Sequence, residues 1–383
     1  MLPNIGVMEL HTNAETIYSV ALLAKCCNAN VTIFTTKLQY ERVLPFFVST
    51  RNDYRWVLQQ DGEALFSFLK RIESHCNDNI DLLFVNTFYD LPHYQLCYLS
   101  FRPKCKTIHM VGRIEYLFGE WLPIKYLPGK LFMFSVLNNI SQSIRKRILP
   151  MFDGLWVENK DAYNYAISAG YKKNVTCLSV HHSNANIQSH EYSGKLKFIT
   201  IGTLNSDERR DYDGLLDAFE KLFDAGRKDI TLTLLGAPFD RKGFQLIDRC
   251  RRLVEKGLDI LFYTEYVPEE LMNEAISGAD AIINPIRIGS YGTGTSGAIL
   301  KAMQFAKPGI YPINSLHYEE LMSSSLFYNK IEELPGIIDD LLSNPETLNE
   351  LSRNALANSE QFSLKTVTAK FQELLLDKYL IDL

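Results

Sequence analysis

Residues 281–303 have the sequence AIINPIRIGSYGTGTSGAILKAM, and this stretch decides the fold. Its first part, Ala281 to Asn284, is an apolar run of the kind that forms a buried strand. A loop with four glycines, residues 289–297, follows the strand, and a helical apolar pattern runs from Ser296 to Phe305. A strand, a glycine-rich turn and a helix in this order predict one unit of a doubly wound α/β sheet.

The same alternation continues on both sides of this stretch. In the C-terminal half we predict strands at 197–201, 230–235 and 260–263, and helices at 214–225, 244–256 and 268–277. In the N-terminal half we predict a helix at 12–27 and strands at 5–8, 31–35, 81–86, 107–111, 154–158 and 175–180. Strands that alternate with helices indicate parallel sheets. The sequence therefore predicts an α/β protein with two Rossmann-like, doubly wound domains, joined by the polar stretch 181–194.

Length and composition agree with an ordinary globular protein of two domains. A single core rarely grows beyond about 250–300 residues, and this chain has 383. A hydrophobic fraction of 46% and a net charge of −5 argue against disorder and against nucleic-acid binding. The seven cysteines form no CxxC pair and show no zinc spacing, so we predict free thiols and no metal site. Without a signal-like N-terminus or an apolar run of about 18 residues, we expect a cytoplasmic protein, in solution or at the inner face of a membrane.

The loop after the strand 197–201 carries residues suited to a phosphate. Gly202 and Thr203 follow the strand, and Arg209 and Arg210 precede the next helix. Glycine lets the backbone approach a ligand closely, and a guanidinium can clamp a diphosphate with two donors. The alternative is a solvated loop with ordinary charges.

The glycine-rich loop is the second candidate site. Backbone amides and hydroxyls at a helix N-terminus can form an anion cradle. The loop is neither a GxGxxG fingerprint nor a Walker loop, and a flexible connection is the alternative. The residues that we assign to this cradle are Gly289, Ser290, Tyr291, Gly292, Thr293, Gly294, Thr295 and Ser296.

A third junction lies between the strand 260–263 and the helix 268–277. Its loop contains Tyr266 and Val267, and a junction of this kind could offer backbone groups to a nucleobase. A plain helix start, with Pro268 near the first position and acids in the first turn, explains the same residues. Both interpretations stay open at this point.

These three junctions, in this order, resemble glycosyltransferases of the GT-B fold, and most of all glycosyltransferase family 4, the glycosyl transferases group 1. The resemblance covers nearly all of the C-terminal half, including FITIGTLNSDERRDYDGLLDAFEKL, YVPEELMNEAISGADAIINP and GAILKAMQFAKPGIYP. It implies a donor domain at 195–361, an acceptor domain at 1–182, and a last helix, 362–383, that returns to the acceptor domain. It also implies a UDP- or GDP-sugar donor whose diphosphate contacts Arg210, with no metal and no cofactor.

The chain departs from this family at one place. Family 4 usually carries two glutamates eight positions apart, one for the donor sugar and one for the ribose, and Thr293 and Lys301 stand at those positions. An ammonium group only donates hydrogen bonds, so Lys301 cannot accept one from a ribose hydroxyl. The donor is therefore held differently, or activity has been lost.

In the N-terminal half the resemblance is mainly architectural. His11 follows the first strand, His109 lies at the end of the strand 107–111, and Glu115 lies in the loop after it. On a cleft between two such domains, each could serve as a general base for an acceptor hydroxyl. A single histidine is also a common structural residue, and this alternative stays open.

The segment 118–151 mixes aromatic residues with Lys125, Lys130, Arg145, Lys146 and Arg147. Such a mixture suits a membrane interface or a lipid-linked acceptor. A core helix with a basic end, or a surface for a partner subunit, would have the same composition.

The residues bear on three candidate functions. The sequence favours transfer of a sugar from a nucleotide-sugar donor to a hydroxyl of a glycan or lipid-linked glycan, in polysaccharide or glycoconjugate biosynthesis. The missing glutamates keep open a catalytically inactive subunit that supports an active partner. A nicotinamide-dependent oxidoreductase is disfavoured, because no glycine fingerprint follows the first strand.

Overall fold

The computed structural model describes residues 2–11, 14–47, 50–86, 92–112, 114–118, 129–179, 194–204, 210–287, 296–313 and 319–379. By its internal contacts the chain divides into two compact units. The first unit consists of residues 1–182 and 364–383, and the second unit of residues 183–363.

The described strands are β1 Asn4–Glu9, β2 Asn30–Thr35, β3 Arg55–Leu58, β4 Leu82–Val85, β5 Lys106–Met110, β6 Gly154–Val157, β7 Asn174–Cys177, β8 Leu196–Ile201, β9 Ile230–Leu235, β10 Ile260–Phe262, β11 Ala281–Ile283, β12 Gly309–Pro312 and β13 Ser325–Tyr328. The described α-helices are α1 Ala14–Cys26, α2 Lys37–Val43, α3 Leu65–Asn79, α4 Pro92–Tyr98, α5 Glu115–Phe118, α6 Gly129–Ile148, α7 Lys160–Ser168, α8 Tyr212–Asp224, α9 Arg241–Lys256, α10 Glu269–Ser277, α11 Gly297–Gln304, α12 Leu334–Ser343, α13 Pro345–Ser359 and α14 Leu364–Tyr379.

Within the described residues of the first unit, seven strands form one sheet in the order β3-β2-β1-β4-β5-β6-β7. Their pairings are all parallel. The inner strands are buried along most of their length because helices cover both faces of such a sheet. The last helix, α14, belongs to this unit, and Phe371 stacks in its core against Trp156 and Phe84, with ring centroids 5.4 and 5.8 Å away.

The described residues of the second unit form a six-stranded parallel sheet in the order β10-β9-β8-β11-β12-β13. One face packs on α8, α9 and α12, and the other on α10 and α11. Capping side chains fix where the helices begin: Asp240 accepts from the Gly243 amide at 2.9 Å at the start of α9. That helix ends at Gly257, whose φ of +111° suits glycine.

The predicted fold class is confirmed: both units are doubly wound α/β sheets. Three strands escaped the prediction. The strand β3 lies at an edge and is only partly buried, so it lacks the continuous apolar run of the inner strands. The strands β12 and β13 have four residues each, and β12 both begins at a glycine and ends at a proline. In the described part of the chain, no helix combines the length and apolarity that crossing a membrane requires.

Candidate functional site

The candidate site lies at the carboxyl ends of β8 and β11. These two strands are neighbours in the second sheet, and the strand order reverses between them. Loops leaving the two strands run to opposite faces of the sheet, which opens a crevice where ligands of such sheets bind. The first residues beyond the strands are Gly202 and Asn284.

Arg210 packs directly against Gly202. Gly202 has a φ of +141°, and a Cβ atom at this position would lie 2.5 Å from Arg210 Cζ. The guanidinium therefore occupies the space that any other side chain at position 202 would take. Arg210 Nε is buried without a hydrogen-bond partner. The site thus holds a cation with unused donor capacity, as a diphosphate requires.

The backbone around Arg210 is fixed from the β11 side. Arg210 forms an antiparallel bridge with Ile286, and the Asp211 amide donates to the Pro285 carbonyl at 2.7 Å. Asp211 also caps α8 by accepting from the Gly214 amide at 3.1 Å, and its carboxylate lies 3.3 Å from the Arg287 guanidinium. Arg287, which the sequence analysis did not single out, brings a second guanidinium to this edge of the sheet.

Close backbone packing also fixes the loop that contains Gly202. A Cβ atom on Gly236 would lie 2.0 Å from the Gly202 carbonyl oxygen. The Tyr212 hydroxyl donates to that same oxygen at 3.0 Å. The Phe239 amide donates to the Leu204 carbonyl at 2.9 Å, while the Phe239 side chain is 80% exposed. A well-anchored backbone thus presents an exposed aromatic ring at the carboxyl end of β9, another residue that the sequence analysis missed.

Helix α11 points its N-terminus toward the same edge. Its N-cap residue is Ser296, whose carbonyl accepts from the Ile299 amide at 3.0 Å. The Ser296 hydroxyl makes no capping bond; it accepts instead from Asn284 Nδ2 at 2.9 Å. The first amides of α11 are therefore left for an anion at the positive end of the helix dipole. Lys301 lies half-buried one turn into α11 and has interaction partners of its own.

The remaining predicted donor-binding residues divide into three groups. Thr203 and Tyr266 are exposed, Tyr266 to 80%. Val267 is buried and packs in the core between the sheet, α10 and α11. Arg209 and the loop residues Gly289, Ser290, Tyr291, Gly292, Thr293, Gly294 and Thr295 lie outside the described residues. The site therefore brings together Gly202, Arg210 and Ser296 among the residues that the sequence singled out.

In the first unit, His109 is an interior residue of β5. It is 3% exposed, its Nδ1 lies 2.9 Å from the Val85 carbonyl, and its ring stacks on Phe152 at 5.0 Å. Burial lowers the pKa of His109 to about 4, and the charge of Arg145 acts in the same direction. The imidazole is therefore neutral at pH 7, and its Nδ1 proton is directed at a backbone carbonyl.

The other two predicted catalytic residues have different surroundings. His11 is half-buried just beyond β1, and its amide donates to Glu9 Oε1 at 2.6 Å. The Glu115 backbone begins α5, and its side chain is outside the described residues. Glu9 and Asn86 are buried at the carboxyl ends of β1 and β4, where the order of the first sheet reverses. Neither was predicted from the sequence, since each reads as the end of an apolar strand.

Of the segment 118–151, residues 119–128 lie outside the described residues, and most of the remainder forms α6. Its side chains Asn139, Gln142 and Arg145 are buried, while Lys146 and Arg147 are exposed. Leu137 and Ile140 are exposed as well, at 43% and 45%. The helix thus turns a polar face inward, and one of its three final basic residues is an interior residue.

Among the residues that the structure describes, no group of three or more His, Cys, Asp or Glu side chains is placed to hold a metal ion.

The sequence of the second unit is similar to that of a known protein family. Residues 195–317 match the family model described as glycosyl transferases group 1. No curated protein sequence is significantly similar to the chain.

Several solved structures superpose on nearly the whole length of the chain. A sucrose-phosphate synthase from Thermosynechococcus elongatus superposes with a TM-score of 0.68 at 14% identity, covering 99% of both chains. HepE from Anabaena, solved in complex with UDP, has a TM-score of 0.64 at 14% identity and covers 98% of this chain and 99% of its own. S. aureus TarM, in a complex that includes UDP, has a TM-score of 0.64 at 9% identity and covers 97% of this chain and 99% of its own. The chain therefore has the GT-B fold, and residues 195–317 of its second unit match the model of the glycosyl transferases group 1.

Proposed function

We propose that the protein is a glycosyltransferase that moves a sugar from a nucleotide-sugar donor to a hydroxyl of a glycan or lipid-linked glycan. The observation that carries this proposal is the position of Arg210 against Gly202, with Nε unpartnered, at the point where the sheet order reverses. The family match of the surrounding residues supports it. UDP is our first candidate for the leaving nucleotide, because similar folds were solved with UDP bound.

The chemistry follows from the charges at this edge. The bond between the sugar anomeric carbon and the diphosphate oxygen breaks, the acceptor oxygen bonds to that carbon, and the acceptor proton passes to a base. Negative charge accumulates on the diphosphate, so fixed donors near it stabilise the transition state. In this proposal Arg210, the first amides of α11 and the exposed Arg287 supply the positive charge, without a metal ion. His11 and Glu115 remain candidates for the base; the burial of His109 favours a structural role for that residue.

The absence of acidic residues at 293 and 301 favours one second candidate. Lys301 is on α11, directly after the cradle, and cannot accept a hydrogen bond from a ribose hydroxyl. A catalytically inactive subunit that supports an active partner would tolerate this change. Such a protein would bind no nucleotide, or would bind one without hydrolysing or transferring the sugar.

Calorimetric titration with UDP, GDP and CMP tests the proposal. We expect one of the three to bind, and Arg210→Ala to weaken that binding about 10- to 100-fold, because charge-assisted hydrogen bonds to the diphosphate are lost. The control is Arg251→Ala, an exposed arginine of α9 that pairs only with Asp248 at 2.8 Å among the described residues. Unchanged affinity in a folded Arg210→Ala protein would refute the assignment, and sugar release from a UDP-sugar would separate the enzyme from the inactive subunit.

A further inference from the structure

A buried side-chain hydrogen bond joins Asn284, at the end of β11, to Ser296, the N-cap residue of α11. Asn284 follows β11 directly and its side chain is completely buried. Its amide donates to the Ile310 carbonyl at 3.1 Å, and its carbonyl accepts from the Tyr328 hydroxyl at 3.4 Å, so the sheet fixes its backbone. From this fixed position Asn284 Nδ2 donates to Ser296 Oγ at 2.9 Å. The bond ties the first residue of the α11 N-terminus to the end of a central strand.

This bond changes what the N-terminus of α11 can do. A serine at the N-cap ordinarily accepts from the second or third amide of its helix, which satisfies one of the unpaired donors. Here the Ser296 hydroxyl makes no such bond. Gly297 is exposed, and a Cβ atom there would have no neighbour within 4 Å. Within the described residues, the Ser296 side chain therefore leaves the first amides of α11 uncapped, and the Gly297 position borders open space.

A second observation points to a ligand at the same place. Asn284 Oδ1 is buried without a hydrogen-bond partner. An unsatisfied buried acceptor costs about 1–3 kcal/mol in stability, so an alanine or valine would serve the core better. An unpartnered buried polar group calls for an explanation, and a role at the neighbouring helix N-terminus supplies one.

We propose that Asn284 is a positioning residue for the donor diphosphate, acting through Ser296. Its carboxamide holds the Ser296 hydroxyl away from the helix, so that the uncapped amides of α11 bind the diphosphate opposite Arg210. This inference rests on the proposed function, since it assigns a role within the same site. Asn284 touches no reacting atom itself.

The test measures UDP affinity in two variants by calorimetry. Asn284→Asp keeps the shape but can only accept, so the Ser296 hydroxyl turns to the carboxylate and a negative charge enters the site. We expect about tenfold weaker UDP binding, with a smaller loss for UMP, because the effect acts on the diphosphate. Ser296→Ala removes the hydroxyl that would otherwise cap the helix, so the amides of α11 stay free and we expect UDP affinity close to that of the wild type.

Two comparisons separate this role from a structural one. Asn358→Asp is the matched control, because Asn358 Nδ2 also donates to a serine hydroxyl, Ser323 Oγ, at 3.1 Å in the same unit; we expect wild-type UDP affinity. The double variant Asn284→Ala with Ser296→Ala should bind UDP no more weakly than Ser296→Ala alone, since residues that act through one contact are not additive.

The UDP affinities of these variants distinguish the role of Asn284 from the proposed function. Clearly weakened UDP binding in Ser296→Ala, or a double variant that binds UDP more weakly than Ser296→Ala, would overturn the role of Asn284, even if Asn284→Asp failed to fold. If Arg210→Ala weakens UDP binding while a folded Asn284→Asp does not, the proposed function stands and only this inference fails.

Discussion

At the scale of single residues, the candidate site depends on what two positions lack. Gly202 has no side chain, and its empty space holds the Arg210 guanidinium. The Gly236 Cα likewise leaves room for the Gly202 carbonyl. Close packing of backbone on backbone and of cation on backbone requires glycine at both places. The cation is thus positioned by the absence of Cβ atoms more than by partners.

This arrangement predicts the effect of Gly202→Ala. The new methyl group would overlap Arg210 Cζ, and the φ of +141° would add backbone strain. We expect Arg210 to be displaced and UDP affinity, measured by calorimetry, to fall about as far as in Arg210→Ala, roughly 10- to 100-fold. Gly226→Ala is the control, because Gly226 has a φ of +90° but nothing within 4 Å of its Cβ position. Equal UDP losses in the two alanine variants would show that strain alone explains the result.

At the scale of elements, the sequence predicts the inner strands and their order along the chain well. Short runs rich in apolar and β-branched residues, such as Ile230–Leu235, favour strands, and β9 has these bounds. The strands β3 and β13 were not predicted because they are partly buried edge strands, and β12 was not because it begins at a glycine and ends at a proline. Gly202 and Arg210 were predicted because a glycine after a strand and a cation before a helix are local signals. Asn284 was not, since its role depends on a contact with Ser296, twelve residues away.

Strand β5 carries a titrating group that makes stability depend on pH. The pKa of His109 is about 4 in the folded protein, below the ordinary value of 6.5, because the ring is buried. The unfolded chain therefore binds a proton first as the pH falls, which favours unfolding below about pH 6.5. At pH 5 we expect the wild type to have lost about 2 kcal/mol through this group, relative to pH 7.5.

The measurement is urea unfolding at both pH values for the wild type and His109→Gln. Tryptophan fluorescence is a suitable signal, because Trp56, Trp121 and Trp156 all belong to the first unit, like His109. His109→Gln should be less stable at pH 7.5 but should lack this part of the pH dependence. An identical decrease in both proteins would contradict the assignment of the titration to His109.

At the scale of the whole molecule, the first unit is built from two separate stretches of the chain. The second unit is continuous in sequence, whereas the first is built from residues 1–182 and from α14. Four residues of α14, Val367, Phe371, Leu375 and Tyr379, belong to the core on one face of the first sheet. The last helix is therefore a core element of the first unit.

Phe371→Ala tests this role. Phe371 is fully buried between Trp156 and Phe84, so we expect the substitution to cost about 3–5 kcal/mol of unfolding free energy. Leu376→Ala on the same helix is the control, because Leu376 is 37% exposed, and we expect a loss of less than about 1 kcal/mol. Urea unfolding followed by tryptophan fluorescence reports both. A small effect of Phe371→Ala would mean that α14 contributes little to the first unit.

The position of α14 also has a consequence for biosynthesis. A ribosome completes residues 183–363, a continuous and self-contained unit, before it releases the residues of α14. During that interval the nascent chain of the first unit has no Phe371 to cover Trp156 and Phe84. The apolar surface around these rings stays uncovered until α14 has been translated, and a chaperone that binds exposed aromatic surface would find its target there. In vivo, translation of the first unit thus begins before the second unit but is completed after it.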